Sequence, residues 1–512
     1  MKKIYPKEWV KLHPYRQTDE IDHYYTDIAN QIYQVLQTHL VDGMFDDDEN
    51  IRYASLCLTA WFEDVISQIG IWTTFTAECK KRYGNWLPFY PLNEEYYPDE
   101  INPEDIQFLL WHHIQTCCRG EGRVINPENP AIAIIANEIY CLLDRIYETA
   151  PENERLWQFM HPKGKGIEGL DKYRLVLQWF HYDSYFNIEN EEQYWDEVEG
   201  WDESLDEDWQ NKQKMIRYSI YTSLMLKGRR DLLSLPSCEW LALWAERNDG
   251  PQDWRTAKDS LESYFLLTEE DSEFLYLQDL CAKTNVYKVF KESFDLKKIK
   301  KRQVGKSTIY CTLLHYGNAW CQMGILVMSP SLDDDIKSSI ENMCKEKEHL
   351  NEKAVYKDFM QATGGKPFHF CKSRQEMIDF FTHDLKYNIA KDVELPPTIK
   401  ADHGMVLMVS PRNGLCVQTR LCECIKSPDN AFYDAKVAAQ KALAFLLNPD
   451  VIPYDLSCML QDKGMLPDAA LNSLKGEAYG RKFLQQNAHF LTDYFFHRCR
   501  EKDYNDWLLM PR

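Results

Sequence analysis

Apolar side chains recur at helical spacing in four stretches near the start of the chain. Each stretch places its apolar residues on one face of a helix, and the stretches are 22–40, 50–69, 101–118 and 130–147. The third begins with Asn102-Pro103-Glu104-Asp105, a cap residue followed by a proline and two acids, which is typical of a helix start. Because each helix has to bury its apolar face, the pattern predicts an N-terminal helical bundle over residues 1–160.

Convincing strand patterns begin only after residue 300. Apolar alternation over 308–314 and 320–328 flanks a turn at Tyr316-Gly317-Asn318. A second pair of alternating segments, 405–409 and 415–421, flanks a turn that ends in Asn413-Gly414, and this dipeptide is a strong hairpin signal. The spacing over 254–291 predicts helix instead.

These patterns predict an α+β fold that is predominantly α-helical. We expect an N-terminal helical domain at 1–160, a central helical region at 161–300, and a C-terminal domain at 301–512. The C-terminal domain would carry a small antiparallel sheet made of the two hairpins and flanked by helices. A chain of 512 residues is long enough for several separate cores.

Charge and composition narrow the class of protein. The net charge of -21 makes nucleic acid an unlikely partner, because sequence-independent binding relies on Lys and Arg neutralising phosphates, although a local basic patch would be an exception. The sequence has no signal peptide and no run of eighteen apolar residues, and its 16 cysteines are scattered. We therefore expect a cytoplasmic protein with reduced cysteines and no membrane segment.

The strongest local feature is the acidic block, residues 183–210. It holds twelve acidic residues, no Lys or Arg, and Trp195, Trp201 and Trp209. A block of like charge attracts basic surfaces, and indoles supply apolar area that an interface can bury. The alternatives are a solvated loop whose tryptophans pack onto the body, and internal pairing with the basic run Lys297–Arg302.

A glycine-rich segment offers a second candidate binding site. Gly164, Lys165 and Gly166 begin a match to GxGxxG that opens a helix, where glycines let a backbone approach phosphate. A dinucleotide site also needs a preceding strand, and residues 154–160 are helix-like instead. The sequence therefore favours an ordinary connector over a nucleotide site.

Candidate catalytic groups lie in the predicted bundle. Glu63 and Asp64 follow Trp61-Phe62 within an apolar helix, so at least one carboxylate has to lie near the buried border. Such a carboxylate either has a structural partner, which we favour, or faces a cleft with a raised pKa as a general acid or base. His113 could line the same groove.

The paired-ligand spacing of structural zinc sites is absent from the sequence. Cys416, Cys422 and Cys424 would share one face of a straight strand, but no paired CxxC ligands accompany them. Buried thiols explain them better. We predict no metal and no cofactor.

Several motifs together resemble a family of uncharacterised bacterial proteins, known as a domain-of-unknown-function family. They are Trp61-Phe62-Glu63-Asp64-Val65-Ile66-Ser67, Leu87-Pro88-Phe89-Tyr90, Asp99-Glu100-Ile101-Asn102, Phe108-Leu109-Leu110-Trp111-His112-His113 and Leu466-Pro467-Asp468-Ala469-Ala470-Leu471. The resemblance implies a bacterial, cytoplasmic, mainly helical protein, and it brings no activity or catalytic residue.

The leading hypothesis is a non-catalytic interaction protein that binds a partner with a basic surface through acidic and aromatic side chains. The alternative is an enzyme, a hydrolase or a nucleotide-handling enzyme, with its site between the N-terminal bundle and the Gly-Lys loop.

Overall fold

The computed structural model describes residues 3–39, 45, 47–92, 96–118, 124–188, 190–202, 213–282, 284–349, 352–387, 404–410, 414–418, 422–449, 451–499 and 508–509. The chain divides into two compact units. The first comprises 1–117, 129–230 and 235–343, and the second comprises 118–128, 231–234 and 344–512. The predicted α+β, mainly helical fold is confirmed. The three segments predicted from composition stay a prediction.

Eleven described helices of the first unit precede its sheet. They are α1 (Pro6–Trp9), α2 (Glu20–His39), α3 (Asp48–Ile66), α4 (Ile71–Tyr83), α5 (Pro103–Cys117), α6 (Pro130–Asp144), α7 (Glu154–Met160), α8 (Gly166–Tyr182), α9 (Asn190–Asp202), α10 (Gln213–Lys227) and α11 (Ser237–Arg247). The four helices predicted near the start of the chain correspond to α2, α3, α5 and α6 and are confirmed.

Local capping explains where these helices begin and end. The Asp47 side chain accepts a hydrogen bond from Asn50 N at 2.8 Å at the start of α3. Asn129 does the same for Ala131 N at 3.0 Å, immediately before a proline in the first turn of α6. Helix α4 ends at Tyr83 and is capped by Gly84, whose φ of 83° is the left-handed conformation that glycine adopts without strain.

Aromatic side chains fill the interior between these helices. Trp61 and Trp72 are fully buried and meet edge to face, with ring centroids 6.1 Å apart. Trp72 also contacts Phe108 of α5 at 6.2 Å. This packing joins α3, α4 and α5, so the heavy aromatic content of the sequence serves the core.

A closed five-stranded barrel follows the helices in the first unit. Its strands are β1 (Ser260–Glu270), β2 (Phe274–Asp279), β3 (Val286–Phe290), β4 (Thr308–Tyr316) and β5 (Ala319–Ser329). The order around the barrel is β1-β2-β3-β5-β4, with β4 returning to β1. All pairs are antiparallel except β3 with β5. The predicted hairpin at 308–328 is confirmed as β4 and β5, which turn through Gly317 and Asn318.

The helix predicted over 254–291 is wrong, because most of that segment forms β1, β2 and β3. In β1, Ser263, Phe265 and Leu267 are buried in alternation, which is the period of a strand. The residues between them are also apolar or aromatic, and they are only half-buried. Apolar residues on both faces hide the two-residue period, so the sequence pattern was ambiguous.

The segment between β3 and β4 fills one end of the barrel. Its Phe294 and Ile299 are buried in the barrel core with Phe265, Leu277 and Val289. The lysines on either side of Ile299 are exposed. One apolar residue thus anchors the basic run and leaves its charges at the surface.

The second unit combines a sheet with helices. Helix α12 (Asp334–His349) leads from the first unit into the elements α13 (Glu352–Ala362), β6 (Phe368–Cys371), α14 (Arg374–Asp379), β7 (Met405–Ser410), β8 (Gly414–Gln418), α15 (Ala435–Leu446), α16 (Tyr454–Asp462), α17 (Glu477–Phe496) and β9 (Leu508–Leu509). The sheet has the order β6-β7-β8-β9 and is antiparallel. The predicted second hairpin is confirmed as β7 and β8, and it lies in a different sheet from the first.

Two further observations concern cysteines and helix length. Strand β8 ends at Gln418, and Cys422–Cys424 forms a short turn, so Cys416 does not share one straight strand with them. All fourteen cysteines with described side chains are free thiols. Across the described ranges, no helix combines the length and apolar character needed to cross a bilayer.

Candidate functional site

Glu63 of α3 is buried, and each of its carboxylate oxygens bonds to another side chain of the protein. Its Oε2 is 2.7 Å from His13 Nε2, and its Oε1 accepts a hydrogen bond from Asn153 Nδ2 at 2.8 Å. His13 Nδ1 is 3.1 Å from the carbonyl oxygen of Trp9. A carbonyl oxygen beside Nδ1 and a carboxylate beside Nε2 together favour the doubly protonated imidazolium form of His13. Burial lowers the pKa of His13, but the Glu63 carboxylate and the Trp9 carbonyl raise that pKa above its usual value.

Asn153 extends this polar network between helices. Its Nδ2 also lies 2.7 Å from Tyr15 Oη, and its Oδ1 accepts from Leu156 N at 3.0 Å, which caps α7. Tyr15 Oη and Trp9 Nε1 both donate to Asp22 Oδ1, at 3.3 and 3.1 Å. The network ties α1, α2, α3 and α7 together, and this gives Glu63 a structural role.

Asp64 holds the start of α4. Its Oδ1 accepts from Gly70 N at 2.8 Å and Ile71 N at 3.2 Å, while its Oδ2 accepts from Trp72 N at 2.7 Å and Tyr185 Oη at 2.6 Å. Burial raises the pKa of Asp64 to about 6, and these four donors oppose that rise. A carboxylate offers about four acceptor positions. The protein's own donors fill them, so Asp64 also has a structural role.

His113 lies in the interior of the same helical body. It is on α5, 3% exposed, and its ring meets Tyr53 edge to face at 6.0 Å. Neither Glu63 nor Asp64 bonds to it. The three predicted catalytic candidates therefore do not converge on a common cleft.

The Gly-Lys loop borders a small cavity of about 280 Å³ that Gly164, Lys165, His161 and Asp253 help to line. Helix α7 precedes the loop, as the helix-like lead-in predicted, and α8 begins at Gly166. Gly166 N donates to Asp253 Oδ2 at 3.3 Å. A phosphate at a helix N-terminus would need this position. Asp253 already supplies the negative charge there, and the loop serves to join α8 to the turn at 252–256.

The acidic block contains an exposed acidic-aromatic helix face. Within α9, Glu192, Trp195, Asp196 and Glu199 have the i, i+3, i+4, i+7 spacing of one helix face, and all four are exposed. Trp195 is 46% exposed, which is unusual for so large an apolar side chain. We call these four residues the α9 face.

The opposite side of α9 packs on the protein. Val198 is 2% exposed, and the Tyr194 ring contacts Tyr182 of α8 and Tyr221 of α10 at 6.3 and 5.9 Å. This anchoring fixes which side of α9 faces solvent. The side chain of Trp201, and Trp209 altogether, lie outside the described residues.

The residues of the basic run Lys297–Arg302 do not all have the same kind of partner. Arg302 donates to Glu270 through both Nε and Nη2, at 2.9 and 2.5 Å. The side chains of Lys297, Lys298, Lys300 and Lys301 have no carboxylate within 4 Å among the described residues. Part of the acidic block lies outside those residues, so the internal pairing of the two charged segments stays a prediction.

Sequence reasoning missed both the partners of the buried acids and the shape of the α9 face. His13, Asn153 and Tyr185 are separated from Glu63 or Asp64 by 50, 90 and 121 positions, and no local signal connects them. The α9 face did have a signal, since its four residues follow helical spacing. In the part of the chain that the structure describes, no three His, Cys, Asp or Glu side chains are grouped to hold a metal ion.

Comparison with known proteins places the chain in a family. The model of DUF3843, described as a protein of unknown function, matches residues 3–310 and 320–497, so the chain belongs to this family. No curated protein and no solved structure matches the chain.

Proposed function

We propose that this protein is a non-catalytic interaction protein of the bacterial cytoplasm, and that the α9 face binds a partner with a basic surface. The observation that carries the proposal is the 46% exposure of Trp195 between carboxylates on an anchored helix. The fourteen free cysteines support a reducing compartment.

The chemistry of the α9 face suits Lys and Arg side chains. The three carboxylates attract a basic partner and speed its encounter, and an indole attracts cations through its ring face. An exposed tryptophan also supplies the apolar anchor on which most binding energy concentrates at interfaces. The packing of Val198 and Tyr194 keeps this face in one orientation, which lowers the entropy cost of binding.

The buried acids give the enzyme alternative little support. All four oxygens of Glu63 and Asp64 bond to groups of the protein, and both nitrogens of His13 face acceptors. A general acid or base has to reach the proton it transfers in a substrate. These side chains are 1% to 3% exposed and would have to leave their partners first.

Binding of a labelled peptide rich in Lys and Arg tests the proposal, measured by fluorescence anisotropy with the full chain. We expect Trp195→Ala to weaken binding by about tenfold, as for an interface anchor. Glu192→Lys combined with Glu199→Lys should weaken it further and reduce its dependence on salt.

Trp157→Ala is the matched control, because Trp157 is 43% exposed on α7 of the same unit and lies outside the acidic block. Its binding should equal that of the unmodified protein. Equal affinities for the Trp195→Ala and Trp157→Ala variants would show that the peptide senses only net charge, and the proposal would be wrong.

A further inference from the structure

A groove of about 440 Å³ lies where α8 and α10 meet the barrel. Its walls include Arg174 and Gln178 from α8, Tyr218 and Tyr221 from α10, Gln322 from β5, and Lys298 from the segment between β3 and β4. Its volume is in the range of small-molecule sites. The groove shares no residue with the α9 face, so a ligand of the groove is independent of the proposed function.

A bulge in β5 forms one wall of the groove. Cys311 of β4 pairs with Leu326 but Thr312 pairs with Met323, so two β5 residues have no partner on β4. One of them, Gly324, has φ of 65°, and a Cβ there would lie 2.7 Å from Thr222 Oγ1 of α10. Only glycine lets the strand backbone approach α10 this closely.

Gln322 presents an unused acceptor to the groove. It is 7% exposed, and its Nε2 donates to the carbonyl oxygens of Gly324 and Ile325 at 2.9 and 3.3 Å. Its Oε1 accepts no hydrogen bond from any described residue. Because Gln322 lines the groove, this free acceptor can take a hydrogen bond from a ligand N–H.

Aromatic rings line the α10 side. Tyr218 is 51% exposed, and Tyr221 stacks on Tyr182 with ring centroids 4.2 Å apart, which fixes the Tyr221 ring. Such rings suit the flat face of an aromatic ligand. Arg174 is committed to the protein, since it donates to Gln322 O at 2.5 Å and Asp171 Oδ1 at 3.0 Å.

A row of exposed lysines begins at the groove. Asp295, which also lines it, accepts from Lys297 N at 3.1 Å and shapes the turn that presents Lys298. The segment from 288 to 306 has eight Lys and Arg against two acids, in a chain whose net charge is -21. The segment is therefore a local basic patch, which a negative net charge of the whole chain does not exclude.

We propose that the groove binds a nucleobase that bears a phosphate. The base packs against Tyr218, an N–H on its edge donates to Gln322 Oε1, and Lys298 neutralises the phosphate. Single-stranded binding sites in general combine aromatic platforms with a cationic track. The barrel has five strands, the number also found in small barrels that bind oligonucleotides and oligosaccharides. Because fold alone does not give function, the groove chemistry carries the proposal.

Two ligand sources share this chemistry, namely free mononucleotides and single-stranded nucleic acid. Calorimetry with AMP, GMP, CMP and UMP tests the first source. Anisotropy with labelled oligo(dT) and oligo(U) tests the second. We expect saturable binding tighter than about millimolar with at least one source. Oligomers that bind more tightly than the mononucleotides, with binding that Lys300→Glu and Lys301→Glu weaken, would identify single-stranded nucleic acid as the ligand.

The variants Tyr218→Ala and Lys298→Glu should each weaken binding by about tenfold or more, while Tyr218→Phe retains the ring and the affinity. Both positions are exposed, so the fold should tolerate these changes. Tyr97→Ala and Lys7→Glu are matched exposed controls and should leave affinity unchanged. The absence of saturable binding to every probe, or binding that Tyr218→Ala and Lys298→Glu leave intact, would overturn the proposal.

Discussion

His13 Nε2 lies 2.7 Å from Glu63 Oε2, and both side chains are almost completely buried. Two segments 50 positions apart thus meet through an ion pair that water does not reach. A buried pair of this kind is weak evidence for extra stability, but removing one partner leaves the other charge without compensation. The pair therefore makes the association of the N-terminal segment with α3 sensitive to single substitutions.

We expect Glu63→Gln to lower the free energy of unfolding by about 3 kcal/mol, because the imidazolium of His13 would lose its carboxylate. Urea denaturation followed by circular dichroism measures the change. Glu168→Gln is the control, since Glu168 pairs with Lys172 at an exposed site and should change stability little. Similar losses in the free energy of unfolding for both substitutions would show that the buried ion pair matters no more than the exposed one.

Asp105 should make stability depend on pH. Burial raises the pKa of Asp105 to about 7, although Tyr96 and Asn102 donate hydrogen bonds to it. The folded protein therefore holds a proton between about pH 4 and 7 that the unfolded chain releases, so the free energy of unfolding falls as pH rises through this window. The Asp105→Asn variant has a neutral side chain at this position at every pH, so its free energy of unfolding should depend less on pH in this window. Parallel pH profiles of the variant and the unmodified protein, from urea denaturation, would contradict this assignment.

Arg302 should contribute to the stability of the fold, whereas the neighbouring lysines should not. Its two hydrogen bonds to Glu270, ahead of those from Lys291, hold the pKa of Glu270 at about 2. That contribution is present above the usual carboxyl pKa and is lost as pH falls from about 4.5 towards 2. At neutral pH, Arg302→Ala should cost about 1–2 kcal/mol, whereas Lys297→Glu should change stability little. Thermal melting of both variants provides the comparison, and a larger loss for Lys297→Glu would point to an internal partner in the acidic block.

Gly324 should tolerate no side chain. Gly324→Ala requires a left-handed φ and brings Cβ within 2.7 Å of Thr222 Oγ1, so we expect a loss of about 1–3 kcal/mol. Gly305→Ala is the control, because Gly305 has φ of 75° but open space around it, and it should show the smaller loss due to φ alone. Equal losses for the two alanine variants would mean that contact with α10 is unimportant.

Local patterns in the sequence predict most of the helices, the two hairpins and the charged segments. Helical spacing and capping residues such as Asn129 act within a few positions, and the turns of both hairpins have signals of the same short range. The α9 face is also local, since one helix places Glu192, Trp195, Asp196 and Glu199 together. These features depend on neighbours along the chain, and for that reason the sequence carries a signal for each of them.

The barrel, the partners of the buried acids and the groove depend on tertiary packing instead. Strand β1 pairs with β4 across 42 to 54 positions, and its two apolar faces gave no period that separates strand from helix. Asp64 meets Tyr185, and Lys298 and Tyr218 line one groove, only because distant elements pack together. Packing between distant elements depends on the whole folded chain, so spacing along the sequence does not predict it.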